Sequence, residues 1–311
     1  MRIVFFGTPG LAVPSLEGVA AAHQVSAVVC QPDKPQGRSK RPVPPATKVW
    51  AEEEQGIEVS QPAKLNDGVF EAWLRGQAPE VCVLAAYGRI LKQAILDVPR
   101  YGFLNVHASL LPRHRGPSPI QTAILEGDGE TGVTIMRLDA GTDTGDMLLH
   151  KAIPIDSGDT TESLAKKLAE LGAELILEAL NLVESGAALY EKQDESLATH
   201  TKIYKKEDGR VRWNMRARGI HNLVRAFVPW PVAYCRFQGD TVRIHKTRVV
   251  ETGEDRPPGT VLLVREDDIV VAAGEGALAI EMIQASGKKA MPMADFLRGN
   301  TIEAGDLFED V

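Results

Sequence analysis

Asn105 and His107 stand two positions apart inside GFLNVHASLLPRHRGPSP, residues 102–119. The run GFLNVHAS (102–109) has the continuous apolar character of a buried strand, and residues two apart on a strand project from one face. An amide and an imidazole together at the carboxyl end of such a strand both donate hydrogen bonds. A site that stabilises a developing oxyanion needs such donors. A lone histidine is ordinarily a satisfied core or surface residue, and it is the pairing with Asn105 that sets this one apart. Ser109, Leu110, Leu111 and Pro112 follow directly. They combine backbone polar groups with an apolar wall, which suits a flat heterocyclic ligand.

Asp143 lies in AGTDTGD, residues 140–146, where Gly141 and Gly145 allow a tight turn and close approach of a ligand. A loop aspartate ordinarily caps its own turn, and Asp146, at the start of the next strand, fits that role better than Asp143. A carboxylate beside an imidazole would orient it and could accept or relay a proton from an attacking amine. Spacing alone does not bring Asp143 to His107. The first turn, FFGTPG, lacks the glycine spacing of a dinucleotide site, and the chain holds no P-loop. Nor does it contain a G-x-S-x-G nucleophile elbow or a histidine pair with metal-ligand spacing. A metal-free transfer reaction fits what remains.

These groups must be positioned by the surrounding elements. RIVFFG (2–7), VSAVVC (25–30), IEVSQ (57–61), PEVCVLAAYG (79–88) and GFLNVHAS (102–109) read as strands. Helical patterns fall between them at 11–22, 46–55, 66–76 and 91–97. Such alternation predicts an α/β, Rossmann-like domain with a mainly parallel sheet covered on both faces. Ligands of such sheets bind beyond the carboxyl ends of the strands, where Gly7-Thr8-Pro9 and the Asn105–His107 pair both fall. A helix at about 117–127 precedes a strand pair, 132–140 and 146–155, that flanks GTDTG. A long helix over 160–186 follows, with Thr160 as its N-cap. Residues 190–213 are polar and read as a connection running over the surface. After a helix at 214–227, five short strands with tight turns in about eighty residues predict a small C-terminal OB-like β-barrel. The domain boundaries expected are 1–189, a linker at 190–205, and 206–311.

A hydrophobic content of 44% and a charged content of 25% are those of a globular protein. The apolar start is too short for a signal peptide or a membrane span. Cys30, Cys82 and Cys235 are widely spaced and odd in number, which predicts buried structural thiols in a reducing compartment. The net charge of −7 hides an asymmetry, because residues 200–248 carry twelve Lys or Arg against three Asp or Glu, a local +9. The rest of the chain therefore carries −16. Lys34, Arg38, Lys40 and Arg41 form a second basic cluster. Segregation of this kind points to a polyanionic partner.

The pattern N-x-H-x-S-L-L-P-x-x-x-G, with D-x-G-D downstream, resembles the folate-dependent formyltransferases. FGTP, QPDKPQGR, ETGVTIM and KEDGRVRW extend the likeness over essentially the whole chain, to the branch that acts on an aminoacyl-tRNA. The resemblance implies transfer of the formyl group of 10-formyltetrahydrofolate to the α-amine of methionine on initiator Met-tRNA, without a metal. Asn105 and His107 would polarise the formyl group, and Asp143 would position His107 and assist proton transfer. Ser109, Leu110, Leu111 and Pro112 would line the folate site. Lys34, Arg38, Lys40 and Arg41, with Lys205, Lys206 and Arg210, would hold the tRNA. The protein is expected to be a cytoplasmic monomer with no membrane partner. A formyltransferase acting on a nucleotide sugar, a formyl-folate hydrolase and a non-catalytic RNA-binding protein are the alternatives. The chain departs from the family pattern at PSPI, at GTDTG, at His114 and at Gly10, none of them in the triad.

Overall fold

The computed structural model describes residues 1–35, 41–65, 68–254 and 256–311. They divide into two compact units. One comprises Met1–Pro119, Glu130–Pro154 and Ala165–Lys202, and the other Ile120–Gly129, Ile155–Leu164 and Ile203–Val311. The chain begins with β1 (Arg2–Gly7), α1 (Val13–Ala22), β2 (Gln24–Val29), and the short β3 (Lys34–Pro35) and β4 (Pro42–Val43). It continues through α2 (Ala46–Val49), β5 (Glu58–Ser60), α3 (Val69–Gln77), β6 (Val81–Ala85), α4 (Gln93–Leu96) and β7 (Phe103–His107). Next come α5 (Pro119–Glu126), β8 (Glu130–Arg137), β9 (Met147–Pro154) and α6 (Thr161–Ser185).

The first unit is built on one sheet in the order β5-β2-β1-β6-β7-β8-β9. The first five strands of that order are parallel, and β8 and β9 continue it antiparallel. This is the mainly parallel α/β sheet expected. Its central strands are apolar on both faces because both faces are covered. Val4, Phe6, Val29, Cys82 and Phe103 pack on one side with Phe70 and Leu74 of α3 and Ile95 of α4. There the Phe6 ring meets Phe103 at 5.1 Å and Tyr87 at 5.4 Å, edge to face. The opposite face carries α6 so closely that a Cβ on Gly172 would lie 2.7 Å from Val106 Cγ1. Strand alternation therefore settles the orientation of the key pair. Val106 faces α6, while Asn105 and His107 share the face of Phe103.

The expected helix over 46–55 changes pitch midway, being α-helical to Val49 and π-helical over Trp50–Gln55, and it ends at Gly56 with φ 61°. The strand expected at 132–140 spans Glu130–Arg137 instead, since the chain leaves it to form the loop that carries Asp143.

In the second unit, Thr160 caps α6 as expected, its hydroxyl accepting a hydrogen bond from Ser163 N at 3.2 Å. After α7 (Ala217–Ala226) come β10 (Ala233–Phe237), β11 (Asp240–Val250), β12 (Val261–Val264), β13 (Ile269–Ala272) and β14 (Ala277–Ala285). Three elements too short to carry a periodicity follow: β15 (Met291–Pro292), α8 (Met293–Leu297) and β16 (Phe308–Glu309). The antiparallel order is β12-β13-β14-β11-β10-β16. Its two ends are joined by a Thr260–Leu307 bridge and by hydrogen bonds from Phe308 N to Gly259 O and from Val261 N to Asp306 O. Stacked Phe237 and Phe308, with centroids 4.4 Å apart, and the buried Trp213 fill the interior.

Candidate active site

β7 supplies the first two groups. It pairs with β6 on one side and β8 on the other, which fixes Asn105 opposite Leu84 and Met136, and His107 opposite Thr134. Asn105 is 5% exposed and His107 6% exposed, so both lie below the surface and not upon it. His107 Nε2 lies 3.1 Å from the His114 carbonyl oxygen. A carbonyl can only accept, so Nε2 carries the proton and Nδ1 is left to face the loop after β8. Asp143 Oδ2 lies there, 3.7 Å from Nδ1. That is wider than a hydrogen bond, as catalytic contacts often are before substrate binds. Residues 36 positions apart in sequence thus meet at the carboxyl end of a sheet strand.

Asp143 is held in a constrained loop. Its φ is 54°, in the left-handed region. Such a conformation costs a non-glycine residue about 1–3 kcal/mol and persists only where the surroundings impose it. Its carboxylate accepts a hydrogen bond from Gly116 N at 2.8 Å. Gly145 gives the loop its clearance, since a Cβ there would lie 1.7 Å from the Arg137 carbonyl oxygen. The self-capping role that loop aspartates usually take belongs to Asp139, which accepts from Gly141 N at 3.0 Å and from Thr144 Oγ1 at 2.7 Å. Asp146 accepts from Arg137 N through its backbone, and its carboxylate lies 3.8 Å from the Arg137 guanidinium. Asp143 is therefore left to face the imidazole.

The Ser109–Pro112 stretch forms the turn beyond His107. Ser109 is fully buried, donating to the Arg113 carbonyl at 2.6 Å, and its own carbonyl accepts from Thr134 Oγ1 at 2.8 Å. Leu111 is buried as well, and Leu110 lies against Gly132 of β8. Leu110 and Pro112 keep partial exposure. The loop stretch therefore splits into a buried scaffold, Ser109 and Leu111, and a more accessible pair.

A cavity of about 660 Å³ is lined by Arg100, Tyr101, Arg137, Leu138, Asp139 and Tyr190 among others. Its volume suits a small molecule. It opens beside Gly102, at the other end of β7 from His107, so about 16 Å of strand separates it from the imidazole.

Of the basic residues expected to hold a polyanion, Lys34 and Arg41 are exposed beside β3 and β4, whereas Arg38 and Lys40 lie outside the described residues. Lys205, Lys206 and Arg210 are exposed in the second unit. There Asp208 accepts from Lys205 N, and Arg210 Nε donates to the Tyr234 hydroxyl at 3.2 Å. All three cysteines are free and buried, and burial pushes their thiols up, Cys30 to about 11. They are structural thiols.

Sequence reasoning missed the segment at 191–201. Its polar composition predicts a surface connection, yet it is hydrogen-bonded into the first unit. Glu191 pairs with Met147, and Thr199 and Thr201 bracket the backbone of Arg115. Gln193 is buried and Arg115 is only 1% exposed. A buried guanidinium requires an ion partner. Glu195 provides it through paired contacts at 2.9 and 2.8 Å. That pairing raises the Arg115 pKa and lowers that of Glu195. The only signal in sequence was an arginine inside a proline-rich turn.

Residues 1–180 match the family model described as formyl transferase, and residues 203–301 match that of the formyl transferase C-terminal domain. The methionyl-tRNA formyltransferase of Geobacter sulfurreducens is 43% identical over 306 residues, covering 98% of this chain and 96% of its own. A crystal structure of HypX from Aquifex aeolicus in complex with tetrahydrofolic acid is similar in fold, with a TM-score of 0.64 and 20% identity. The similarity covers 98% of this chain and 50% of that one, so the chain spans half of HypX. An N-formyltransferase from Helicobacter canadensis, in complex with folinic acid and dTDP-3-aminofucose, gives a TM-score of 0.67 at 19% identity, covering 92% and 99%. With both parts of its sequence matched and full-length relatives at this identity, the chain belongs to the formyl transferase family.

Proposed function

We propose that the protein transfers the formyl group of 10-formyltetrahydrofolate to the α-amine of methionine on initiator Met-tRNA. The observation that carries this reading is the His107–Asp143 approach of 3.7 Å, on the strand face and at the strand end that also present Asn105. The likeness to methionyl-tRNA formyltransferases along the whole chain supports the choice of acceptor.

The amine nitrogen attacks the formyl carbon, and the carbonyl electrons move onto oxygen. The Asn105 amide donates to that oxyanion, and removing one such donor typically costs about 10²–10³ in rate. The new C–N bond makes the amine cationic, and its proton passes to the His107 Nδ1–Asp143 Oδ2 pair. A positioned base of this kind contributes about 10²–10⁴. Collapse of the intermediate breaks the C–N10 bond. N10 takes up the proton that the His107–Asp143 pair accepted from the amine, which restores the pair, and tetrahydrofolate leaves. The carbonyl of His114 holds Nε2–H throughout, so His107 accepts at the nitrogen that faces the carboxylate.

In this reading residues 1–189 carry the catalysis and 206–311 the tRNA contacts, while of the expected linker, 190–205, the part at 191–201 belongs with the first unit and supports its site. Ser109, Leu110, Leu111 and Pro112 line the folate site, with the half-exposed Leu110 and Pro112 touching ligand. Lys34, Arg38, Lys40, Arg41, Lys205, Lys206 and Arg210 contact phosphates. All three catalytic groups come from one chain, and the enzyme acts as a cytoplasmic monomer. Among the described residues, no helix is long and apolar enough to cross a membrane.

The test is incubation with Met-tRNA and 10-formyltetrahydrofolate, scored for N-formylmethionyl-tRNA and released tetrahydrofolate in equal amounts. Asn105→Ala should lower the transfer rate about 10²–10³-fold and Asp143→Ala about 10²–10⁴-fold, each with a measurable residual rate and with tRNA affinity held within a few fold. Near-normal turnover in either variant removes that residue from the mechanism. Formylation of a nucleotide-linked amino sugar in place of Met-tRNA overturns the choice of acceptor.

A further inference from the structure

The Asp143 loop is gripped by a residue fifty positions further along the chain. Gln193 Nε2 donates to the carbonyl of Asp143 at 2.9 Å and to that of Gly145 at 2.8 Å, so both of its amide protons are used on this loop. Its Oε1 accepts from Arg115 Nε at 2.9 Å. The two remaining arms of the Arg115 guanidinium are taken by Glu195. The residue after Arg115 is Gly116, whose N–H holds the Asp143 carboxylate at 2.8 Å. The contacts therefore close a ring. Arg115 fixes the backbone of Asp143 through its side chain and Gln193, and fixes the Asp143 carboxylate through the peptide that follows it.

We propose that Gln193 is a positioning residue for formyl transfer, holding Asp143 at the distance and angle from His107 that proton transfer requires. This rests on the catalytic role given to Asp143 above. Two observations set the ring apart from an ordinary loop staple. The left-handed φ of Asp143, 54°, is one that aspartate adopts more readily than most residues but still at a cost, and the Gln193 amide caps the turn that holds it. Gln193 is 9% exposed, and its amide caps the carbonyls of Asp143 and Gly145, which the turn leaves without partners in a ladder. Loss of those donors lets the loop relax toward ordinary φ and swings the carboxylate away from Nδ1.

Gln193→Met keeps the length of the side chain and removes both donors and the acceptor. It should lower kcat about a hundredfold, the usual consequence of misplacing a catalytic group by about 1 Å. KM for 10-formyltetrahydrofolate and the affinity for Met-tRNA should stay within a few fold of the parent. The decisive measurement is the pair of variants together. If Gln193 acts through Asp143, Gln193→Met added to Asp143→Ala should cost nothing further. A staple with a purely structural role would lower kcat in both backgrounds, along with melting temperature and tRNA affinity, and that result overturns the proposal. Gln193→Glu provides a second route should the methionine variant fail to fold. It retains an acceptor for Arg115 and loses the donors, and it should show the same fall in kcat. Parent-like kcat in either folded variant also overturns the proposal. Failure of the underlying reading is seen separately, as an unsubstituted protein that does not formylate Met-tRNA or an Asp143→Ala variant that turns over at nearly the parental rate.

Discussion

Gly145→Ala tests whether the geometry of the Asp143 loop sets the rate. Gly145 is not in the left-handed region, so what it needs is room and not conformational freedom. The added Cβ would stand 1.7 Å from the Arg137 carbonyl oxygen, with Met136 Cε at 3.3 Å. A carbon and a carbonyl oxygen need about 3.3 Å, so relief requires a movement of about 1.6 Å. Arg137 closes β8, a strand paired on both sides, and the loop is the softer partner. Asp143 lies two residues away and moves with it. A displacement of about 1 Å or more at a catalytic group predicts a fall in kcat of about 10² or greater. The overpacking itself should cost about 1–3 kcal/mol of stability. Single-turnover formylation with saturating Met-tRNA reads the chemical step, and thermal unfolding reads the stability. Gly158→Ala, where a Cβ meets nothing within 4 Å, is the control and should change neither. If Gly145→Ala formylates at the parental rate, the loop is not what sets the position of the carboxylate.

Other consequences are open to measurement. Affinity for Met-tRNA should fall steeply with salt, because the exposed Lys34, Arg41, Lys205, Lys206 and Arg210 would release counterions on binding. Each one replaced by Ala should reduce the log–log slope by about 0.7–0.9, and a flat salt profile in the parent would count against a polyanionic substrate. Thr160 caps α6 through its hydroxyl. Thr160→Ala should cost about 1 kcal/mol, read by denaturant unfolding, and an unchanged midpoint would show the cap to be idle. Stability should fall as the pH drops through the ordinary histidine range. Burial, ahead of the charges of Arg225 and Arg218, pushes the His221 pKa below its usual 6.5 against the opposing Ser157 carbonyl. Between the two values the unfolded chain binds a proton that the folded one refuses, which favours unfolding on the acid side. His221→Gln should flatten that slope, and an identical pH profile in the variant would contradict it.

The sheet could be read from sequence because its signal is local. Continuous apolar runs such as RIVFFG and VCVLA need only their own composition to declare a strand buried on both faces. The alternation within FLNVH places Asn105 and His107 together before any partner is known. Asp143 was legible as a residue between two glycines, but not as a neighbour of His107. What distinguishes it from Asp139 and Asp146 is which of the three carboxylates the loop turns toward His107, Asp139 being engaged by Gly141 and Thr144 and Asp146 facing Arg137. The segment containing Gln193 had no periodicity to read. Polar composition is shared by a solvated linker and by a strap whose polar groups are engaged with another part of the chain. Only the partners separate the two, and they are 78 residues away at Arg115 and 50 at Asp143.

The same division has a mechanistic consequence. Asn105 and His107 are placed by a ladder in which β7 is paired on both sides, so shifting either would require breaking register with β6 or β8. Register on a buried sheet is strongly specified, since a slip of one residue turns every side chain to the other face. Asp143 has no such support. It is held by a few hydrogen bonds, one to its carboxylate and one to its carbonyl. Such bonds each contribute a net stabilisation on the order of 1 kcal/mol, somewhat more where charge is involved. The two groups on the strand, the Asn105 donor and the His107 acceptor, are thus rigid by construction, and the carboxylate that completes the proton-accepting pair is tunable. Substitutions far from the chemistry should act on kcat through Asp143 and leave Asn105 and His107 in place. A survey of variants along 113–116 and 191–201 would bear this out if the losses all vanish in an Asp143→Ala background. Losses that persist there would mean the strand is less secure than its pairing implies.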